Sequence, residues 1–213
     1  MTLFESNQKV LVIGSHPDDI EYACSGTLIK IKENYNCEIK CLVLSFGSEG
    51  DESSGMQRVE ETKEALLSKD VADEIIVLER HYPTSPNINK ESNFLRKIIL
   101  EFKPDLILTH SPFDTHQEHI TTNQITITAA RRMKSSILEY PMLSSTPEFK
   151  PTIFSDITNY FPRKLQLLER HQSQADKSYM NHDFLELFNK SAYALLHSCD
   201  YVEKFSIHRL IFK

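Results

Sequence analysis

Short apolar runs alternate with segments of helical periodicity along most of this 213-residue chain, which limits the architectures open to it. Strands are predicted at 10–14, 39–44, 74–78 and 105–109, and helices at 25–33, 58–68, 94–102 and 117–133. This alternation is typical of a parallel sheet whose right-handed crossovers carry helices onto its faces. The sequence therefore predicts one α/β domain over residues 1–213, Rossmann-like, with a mainly parallel sheet flanked by helices on both faces.

The pattern is weaker in the C-terminal third of the chain. A strand is predicted at 135–140, a loop at 144–150, helices at 163–170 and 184–196, and a late strand at 205–212. Two segments rich in turn-forming residues, 47–56 and 82–91, are predicted to be mobile. Because ligands of open α/β sheets bind at the carboxyl ends of the strands, we expect segment 47–56 to act as a lid there.

Composition and charge exclude several classes of partner. The formal net charge of −6 at pH 7 argues against a nucleic-acid surface, which would favour basic patches. No apolar stretch approaches the roughly 18 residues of a membrane span, so stable membrane insertion is not expected. Residues 1–8 lack the basic and apolar regions of a secretory signal, and we expect a cytoplasmic protein.

Two clusters of metal-ligand residue types follow the first and fourth predicted strands. His16 and Asp19 are three residues apart in a turn that leads into a helix, so both side chains can face one point. Asp18 must then point elsewhere, which leaves it free to handle the proton of a water molecule. His116 and His119 are likewise three residues apart near a helix start and can share a face.

Each cluster has an ordinary explanation when it is taken alone. A pair of aspartates after a strand is more often a helix N-cap than a metal site, and His-x-x-His near a helix start is commonly surface decoration. Together, at the ends of two predicted parallel strands, they favour one metal site. A catalytic zinc ion keeps three protein ligands and leaves a position to water, which becomes a nucleophile near neutral pH.

These motifs resemble the signatures of the PIG-L/LmbE-like N-deacetylases. Residues 16–21, His-Pro-Asp-Asp-Ile-Glu, with Gly-Thr-Leu at 26–28, are similar to the first signature of that family. Residues 114–119, Asp-Thr-His-Gln-Glu-His, are similar to the second, which normally reads Asp-x-His-x-Asp-His; Glu118 therefore replaces an aspartate. Weaker similarities in the glycine loop, the following helix and the C-terminal part extend the resemblance along nearly the whole chain.

The resemblance implies a zinc-dependent N-deacetylase. It implies one zinc ion per chain, with Fe²⁺ or another divalent metal as the alternative, held by His16, Asp19 and His119. It also implies that Asp18 is the general base and that His116 assists the developing charge, with Glu118 favouring the imidazolium. Either Asp18 or His116 would protonate the leaving amine, and the products would be acetate and a free amine.

Other residues are candidates for shaping the substrate site. Arg58 is expected to hydrogen-bond sugar hydroxyls or an acidic aglycone, or else to pair with a glutamate of its own helix. Tyr201 and Glu203 are expected to line the cleft, with anchoring of a strand as the alternative role. His110 lies at the end of a predicted strand near the site, but no partner pattern assigns it a role.

The leading hypothesis is removal of an N-acetyl group from an N-acetylglucosamine-type sugar or glycoconjugate, a small-molecule substrate. One rival is a nucleotide-binding module, but the turn after the first strand offers a single glycine, Gly14, and two carboxylates that would repel a pyrophosphate. Other rivals are a metal-binding protein without catalysis and a hydrolase of another amide or ester. The resemblance also allows a homo-oligomer.

Overall fold

The centre of the fold is a seven-stranded sheet in which the first five strands run parallel. The computed structural model describes residues 4–47, 52–67, 71–82 and 86–211. The strands are β1 (Lys9–Gly14), β2 (Glu38–Val43), β3 (Glu74–Val77), β4 (Leu106–His110), β5 (Ser136–Tyr140), β6 (Ile153–Asp156) and β7 (Val202–Arg209). Their order across the sheet is β3-β2-β1-β4-β5-β7-β6, and β7 is antiparallel to both β5 and β6.

Helices cover both faces of this sheet. They are α1 (Asp19–Tyr35), α2 (Glu52–Leu67), α3 (Ile88–Phe102), α4 (Gln117–Ala130), α5 (Phe161–Leu168), α6 (His182–Asn189) and α7 (Ala192–Leu196). Alternate residues of β1 point to opposite faces: Val12 packs in one buried cluster with Leu28 of α1, and Leu11 packs in another with Leu95 of α3. The predicted α/β class, with a mainly parallel sheet between helices, is confirmed.

Several predicted boundaries are wrong. Helix α1 begins at Asp19, six residues before its predicted start, and the helix predicted at 184–196 is divided into the short helices α6 and α7. Strand β6, which pairs with β7, was not predicted. The last strand lies at Val202–Arg209 rather than at 205–212.

The two segments predicted to be mobile are partly helical. Residues 52–56 belong to α2, and residues 88–91 belong to α3. The parts at 48–51 and 83–85 lie outside the described residues, so the lid stays a prediction. None of the helices in the described part of the chain combines the length and the apolarity that a membrane crossing requires.

The connections place a crevice between β1 and β4. From β1 the chain continues to β2 and β3 on one side, and β4 then pairs with the other side of β1, with Val10 opposite Leu106. Such a reversal of strand order opens a crevice at the carboxyl ends of the two strands, where α/β proteins bind ligands. The turn that begins at Ser15 and the end of β4 at His110 therefore meet at this crevice.

Candidate active site

The turn after β1 has an unusual backbone conformation. Asp18 has φ 100° and ψ −28°, in the left-handed region that costs residues other than glycine about 1–3 kcal/mol. Its N–H donates to Thr62 Oγ1 at 3.3 Å, and its carbonyl accepts the N–H of Tyr22 at 2.8 Å. Helix α1 begins directly after it, and an acidic first turn suits the positive end of a helix dipole.

Asp19 folds back onto this turn and is almost fully buried. Its Oδ2 accepts the backbone N–H groups of Ser15 at 2.9 Å and His16 at 2.8 Å, and lies 3.0 Å from His110 Nε2. Its Oδ1 lies 3.6 Å from His119 Nε2. Burial raises the pKa of Asp19, but His110 and His119 outweigh it and hold the pKa well below its usual value. Asp19 is therefore an anion whose Oδ1 remains for a cation.

Asp114 orients the ring of His119. Its Oδ2 lies 3.1 Å from His119 Nδ1. Burial raises the pKa of Asp114, but the hydrogen bond from His119 and its other partners lower it to about 2. The ionised carboxylate accepts the Nδ1–H, so Nε2 is the ring nitrogen that faces Asp19 and is left for a metal. A carboxylate on the second ring nitrogen is the usual support of a metal-binding histidine.

His16 lies between two carboxylates. Its Nδ1 is 3.6 Å from Asp19 Oδ2, and its Nε2 contacts Glu118 Oε2 directly. Burial lowers the pKa of His16, but hydrogen bonds with Asp19 and Glu118 outweigh that effect and raise the pKa to about 9. The ring centroids of His16 and His119 are 5.5 Å apart. Coordination of a metal by His16 would therefore displace a proton.

His116 is exposed at the N-cap of α4, and its Nδ1 accepts the backbone N–H of Glu118 at 3.3 Å. Its ring stacks on His119 with a centroid distance of 4.3 Å. Burial and the neighbouring rings of His119 and His16 lower the pKa of His116. Glu118 raises the pKa of His116, in the direction that the sequence analysis expected, but burial and the two rings outweigh it, and the carboxylate of Glu118 contacts His16 directly. Neutral His116, with Nδ1 accepting, carries its proton on Nε2.

Two overlapping groups of donor atoms fit a divalent cation. One consists of His16, His116 and His119, and the other of Asp19, His110 and His119; in each group the donor atoms lie within 4.8 Å of one another. The three predicted ligands lie side by side but are divided between these two groups, with His16 Nδ1 3.6 Å from Asp19 Oδ2 and His119 Nε2 3.6 Å from Asp19 Oδ1. Imidazole nitrogens and one carboxylate are donors that zinc accepts. Together with the oriented Nε2 of His119, this donor set fits a zinc-type site.

Two residues of this cluster received no role in the sequence analysis. His110 is fully buried at the end of β4, where burial and His119 lower its pKa to about 4. Its Nε2 lies 3.0 Å from Asp19 Oδ2 and 3.2 Å from the backbone N of Ser15, so the tautomer of the ring decides whether Nε2 donates to the carboxylate or accepts the Ser15 N–H. Its position at a strand end was the available signal. Asp114 stands in the second motif, and its five-residue spacing from His119 was the signal for its role.

The two groups of donor atoms together form what we call the donor cluster, namely His16, Asp19, His110, His116 and His119. Asp18 lies beside this cluster without belonging to either group. Burial raises its pKa to about 6, although the guanidinium of Arg58 lowers it. Arg58 Nη2 lies 3.3 Å from Asp18 Oδ2 and donates to the Pro17 carbonyl at 2.9 Å, while Nη1 donates to the Gly47 carbonyl. Arg58 is thus paired with Asp18 rather than with a glutamate of its own helix.

A cavity of about 800 Å³ opens beside these residues. It is lined by His16, Asp18, Asp19, Tyr22, Gly47, Arg58, His81, Tyr82, His116, Glu118, His119, Met142, Leu143, Ser144 and Tyr179. All the residues predicted as metal ligands or catalytic groups, and Arg58, are therefore on its wall.

Tyr201 and Glu203, which were expected to line the cleft, lie outside this wall. Glu203 is buried against Lys164 Nζ at 2.6 Å and accepts the backbone N–H of Gly26 at 2.9 Å. The ring of Tyr201 stacks on Phe161 with centroids 3.9 Å apart. Their placement corrects the expectation: both residues anchor β7 and the chain before it to neighbouring helices.

Comparisons with known proteins bear on the family and the fold of this chain. Residues 11–130, more than half of the chain, match the model of the PIG-L family, described as GlcNAc-PI de-N-acetylase. An uncharacterized deacetylase of Escherichia coli (strain K12), YaiS, is 28% identical over 170 residues, covering 77% of this chain and 90% of the relative. The residues that the family model matches include both motifs, β2, β3, β4 and all but the first two residues of β1.

Solved structures share the fold. The N,N′-diacetylchitobiose deacetylase from Pyrococcus horikoshii has a TM-score of 0.78 at 22% identity, covering 95% of this chain and 84% of that one. GalB, the 4-carboxy-2-hydroxymuconate hydratase from Pseudomonas putida KT2440, has a TM-score of 0.79 at 16% identity, covering 97% and 98%. Because a hydratase also has this fold, the fold does not assign the activity. The family match does assign a family, and this chain belongs to the PIG-L de-N-acetylases.

Proposed function

We propose that this protein is a metal-dependent hydrolase that removes the N-acetyl group from an N-acetylglucosamine-type sugar or glycoconjugate. The observation that carries the proposal is Asp18, a carboxylate on the cavity wall that stands beside the donor cluster without joining it. Its pKa of about 6 lets it exchange a proton near neutral pH.

His16, Asp19 and His119 would hold the ion, with zinc as first choice and Fe²⁺ or another divalent metal as the alternative. When bound, such an ion polarises the acetamide carbonyl and lowers the pKa of water. Asp114 supports this role because its contact with His119 Nδ1 fixes the ring so that Nε2 is the nitrogen left for the ion. His110 supports it because its ring contacts Asp19 at Oδ2, 3.0 Å away, leaving Oδ1 for the ion.

Asp18 accepts the proton of the attacking water in this proposal, and then passes it to the nitrogen of the leaving amine. His116 donates its Nε2–H to the oxyanion of the tetrahedral intermediate, where a positioned donor is most effective. We assign the protonation of the amine to Asp18 rather than His116, because burial and neighbouring rings lower the pKa of His116. The products are acetate and a free amine.

The test is acetate release from a panel of N-acetyl sugars by the wild type and by Asp18→Asn. The variant should lose about 10²–10⁴ in rate, the usual contribution of general acid–base catalysis, while elemental analysis finds the same metal content. The exposed Asp176 gives a matched control, since Asp176→Asn should retain the wild-type rate.

Two outcomes would contradict the proposal. If purified protein contained no divalent metal and released no acetate after addition of Zn²⁺ or Fe²⁺, metal-dependent deacetylation would be abandoned. If folded Asp18→Asn lost its metal, Asp18 would be a ligand and the base would have to be sought among the other carboxylates of the cavity.

A further inference from the structure

The cavity beside the donor cluster has room for more than the reacting acetamide and its sugar ring. Its volume of about 800 Å³ lies in the upper part of the roughly 300–1,000 Å³ range of pockets for drug-sized ligands. Part of the wall carries apolar or aromatic surface, from Tyr82, Met142, Leu143 and Tyr179. Leu143 is 44% exposed, so it offers apolar surface that a ligand can bury.

The tyrosine hydroxyls on this wall are already engaged by the protein. The hydroxyl of Tyr179 donates to Gln174 Oε1 at 3.2 Å, and that of Tyr82 lies 3.1 Å from Thr122 Oγ1. The hydroxyl of Tyr22 donates to the Tyr179 carbonyl at 3.3 Å. Because these polar ends are held, the rings offer the cavity carbon surface rather than hydrogen-bond donors.

The guanidinium on the wall is also engaged. Arg58 is the sole lysine or arginine among the described residues that line the cavity. Its two Nη atoms donate to the carbonyls of Gly47 and Pro17 and to the carboxylate of Asp18, while its Nε is buried without a hydrogen-bond partner and is closed to a ligand in the cavity. A phosphate or carboxylate of a ligand would have to displace these contacts to reach Arg58.

Carboxylates supply most of the remaining charge on the wall, from Asp18, Asp19 and Glu118. The sequences at 48–51, Ser-Glu-Gly-Asp, and at 83–85, Pro-Thr-Ser, contain no lysine or arginine. Away from His16 and the ion site, an anionic aglycone would therefore lose its hydration without gaining a hydrogen bond from a lysine or from an arginine that is not already paired.

We infer that the aglycone of the substrate is uncharged and packs an apolar or aromatic group against Met142, Leu143 and Tyr179. This inference rests on the proposed N-deacetylase function, and it disfavours nucleotide sugars, sugar phosphates and glycosides of carboxylic acids. Burial of roughly 56 Å² of apolar surface, at about 25 cal/mol per Å², corresponds to a tenfold gain in affinity. A phenyl ring can supply that area.

The experiment compares acetate release from three substrates of the metal-loaded enzyme: the methyl and phenyl β-glycosides of N-acetylglucosamine, and N-acetylglucosamine 1-phosphate. We expect kcat/KM for the phenyl glycoside to exceed that for the methyl glycoside by about 10-fold or more, and the phosphate to fall below the methyl glycoside. Leu143→Ser should reduce the phenyl-to-methyl ratio by about 3-fold or more. Leu100→Ser, at a leucine 54% exposed on α3, should leave that ratio unchanged.

Binding measurements separate this inference from the proposed function. Phenyl β-glucoside and glucose 1-phosphate lack the acetamide, so calorimetry with them reports the aglycone alone, and we expect the phenyl glucoside to bind more tightly. If no substrate releases acetate, the proposed function fails, while calorimetry still decides the aglycone. If acetate is released but the phosphate equals or exceeds the methyl glycoside, or the phenyl glycoside gains nothing, the inference is overturned and the function stands.

Discussion

Replacement of Glu203 by glutamine should destabilise the protein without changing its recognition of substrate. Glu203 Oε1 lies 2.6 Å from Lys164 Nζ, and both side chains are completely buried. The carboxylate also accepts the backbone N–H groups of Gly26 at 2.9 Å and Thr27 at 2.7 Å, in the middle of α1. Lys164 Nζ has one other polar partner, Asn189 Oδ1 at 3.0 Å. The pair therefore joins β7 to α5, α1 and α6.

Glutamine keeps the shape of the side chain but leaves the Lys164 ammonium buried without a counter-ion. Removal of one partner of a buried ion pair costs about 3–5 kcal/mol. One of the two backbone N–H groups would also face an amide NH₂ instead of an oxygen, which places the loss near the upper end of that range. For a domain of this length, Tm should fall by roughly 10–20 °C.

Urea unfolding, monitored by circular dichroism, measures the loss in free energy of unfolding. Steady-state acetate release at low temperature measures KM in the folded variant. The matched control is Glu186→Gln, which breaks the exposed pair of Glu186 with Lys190 and should leave the unfolding midpoint unchanged. A Glu203→Gln variant with the wild-type midpoint and a raised KM would refute the reasoning. It would return Glu203 to the substrate site that the sequence analysis assigned it.

Three further substitutions test the supports of the site. Asp114→Asn should weaken metal binding roughly 10–100-fold in a chelator competition, because His119 loses the carboxylate that fixes its ring. An unchanged metal affinity would exclude this role of Asp114 in orienting His119. Thr62→Val removes a hydroxyl that contacts Glu21 and the backbone of the proposed base, so kcat should fall roughly 10–100-fold with metal content unchanged. Burial lowers the pKa of His171, but Glu21 outweighs it and raises the pKa above 6.5. The contribution of His171 to the free energy of unfolding is therefore complete below pH 6.5 and is lost as the pH rises through the pKa of the folded state. The difference in free energy of unfolding between the wild type and His171→Gln, measured by urea titration, should become smaller as the pH rises. A difference that does not change with pH would contradict this.

The parallel half of the fold was accessible from the sequence because its strands are buried on both faces. Strands such as β1 and β4 then read as continuous apolar runs, and their spacing leaves room for a helical crossover. Parallel strands end at the same edge of the sheet, which is why two motifs about a hundred residues apart could be placed together. The convergence of His16 and His119 on Asp19 follows from this topology.

The parts that were missed depend on contacts that leave no local pattern. The first half of α1 buries polar as well as apolar residues, including Glu21, Ser25 and Thr27, so hydrophobic periodicity gave no sign of its start. His110 bonds to Asp19 across 91 positions, and Glu203 bonds to α1 across 176 and 177 positions. Such partners become visible only when the sheet order is known.

The backbone strain at Asp18 connects the stability of this fold with its chemistry. A glycine would adopt the same positive φ without the cost of about 1–3 kcal/mol, but it would remove the carboxylate. Three contacts oppose the strain: Thr62 accepts the N–H, Tyr22 donates to the carbonyl, and Arg58 pairs with the side chain. All three come from α1 and α2 rather than from the turn itself. The proposed base is therefore positioned by the packing of two helices at the end of β1, and rigid elements hold a catalytic group at a more constant distance from its substrate than a loop does.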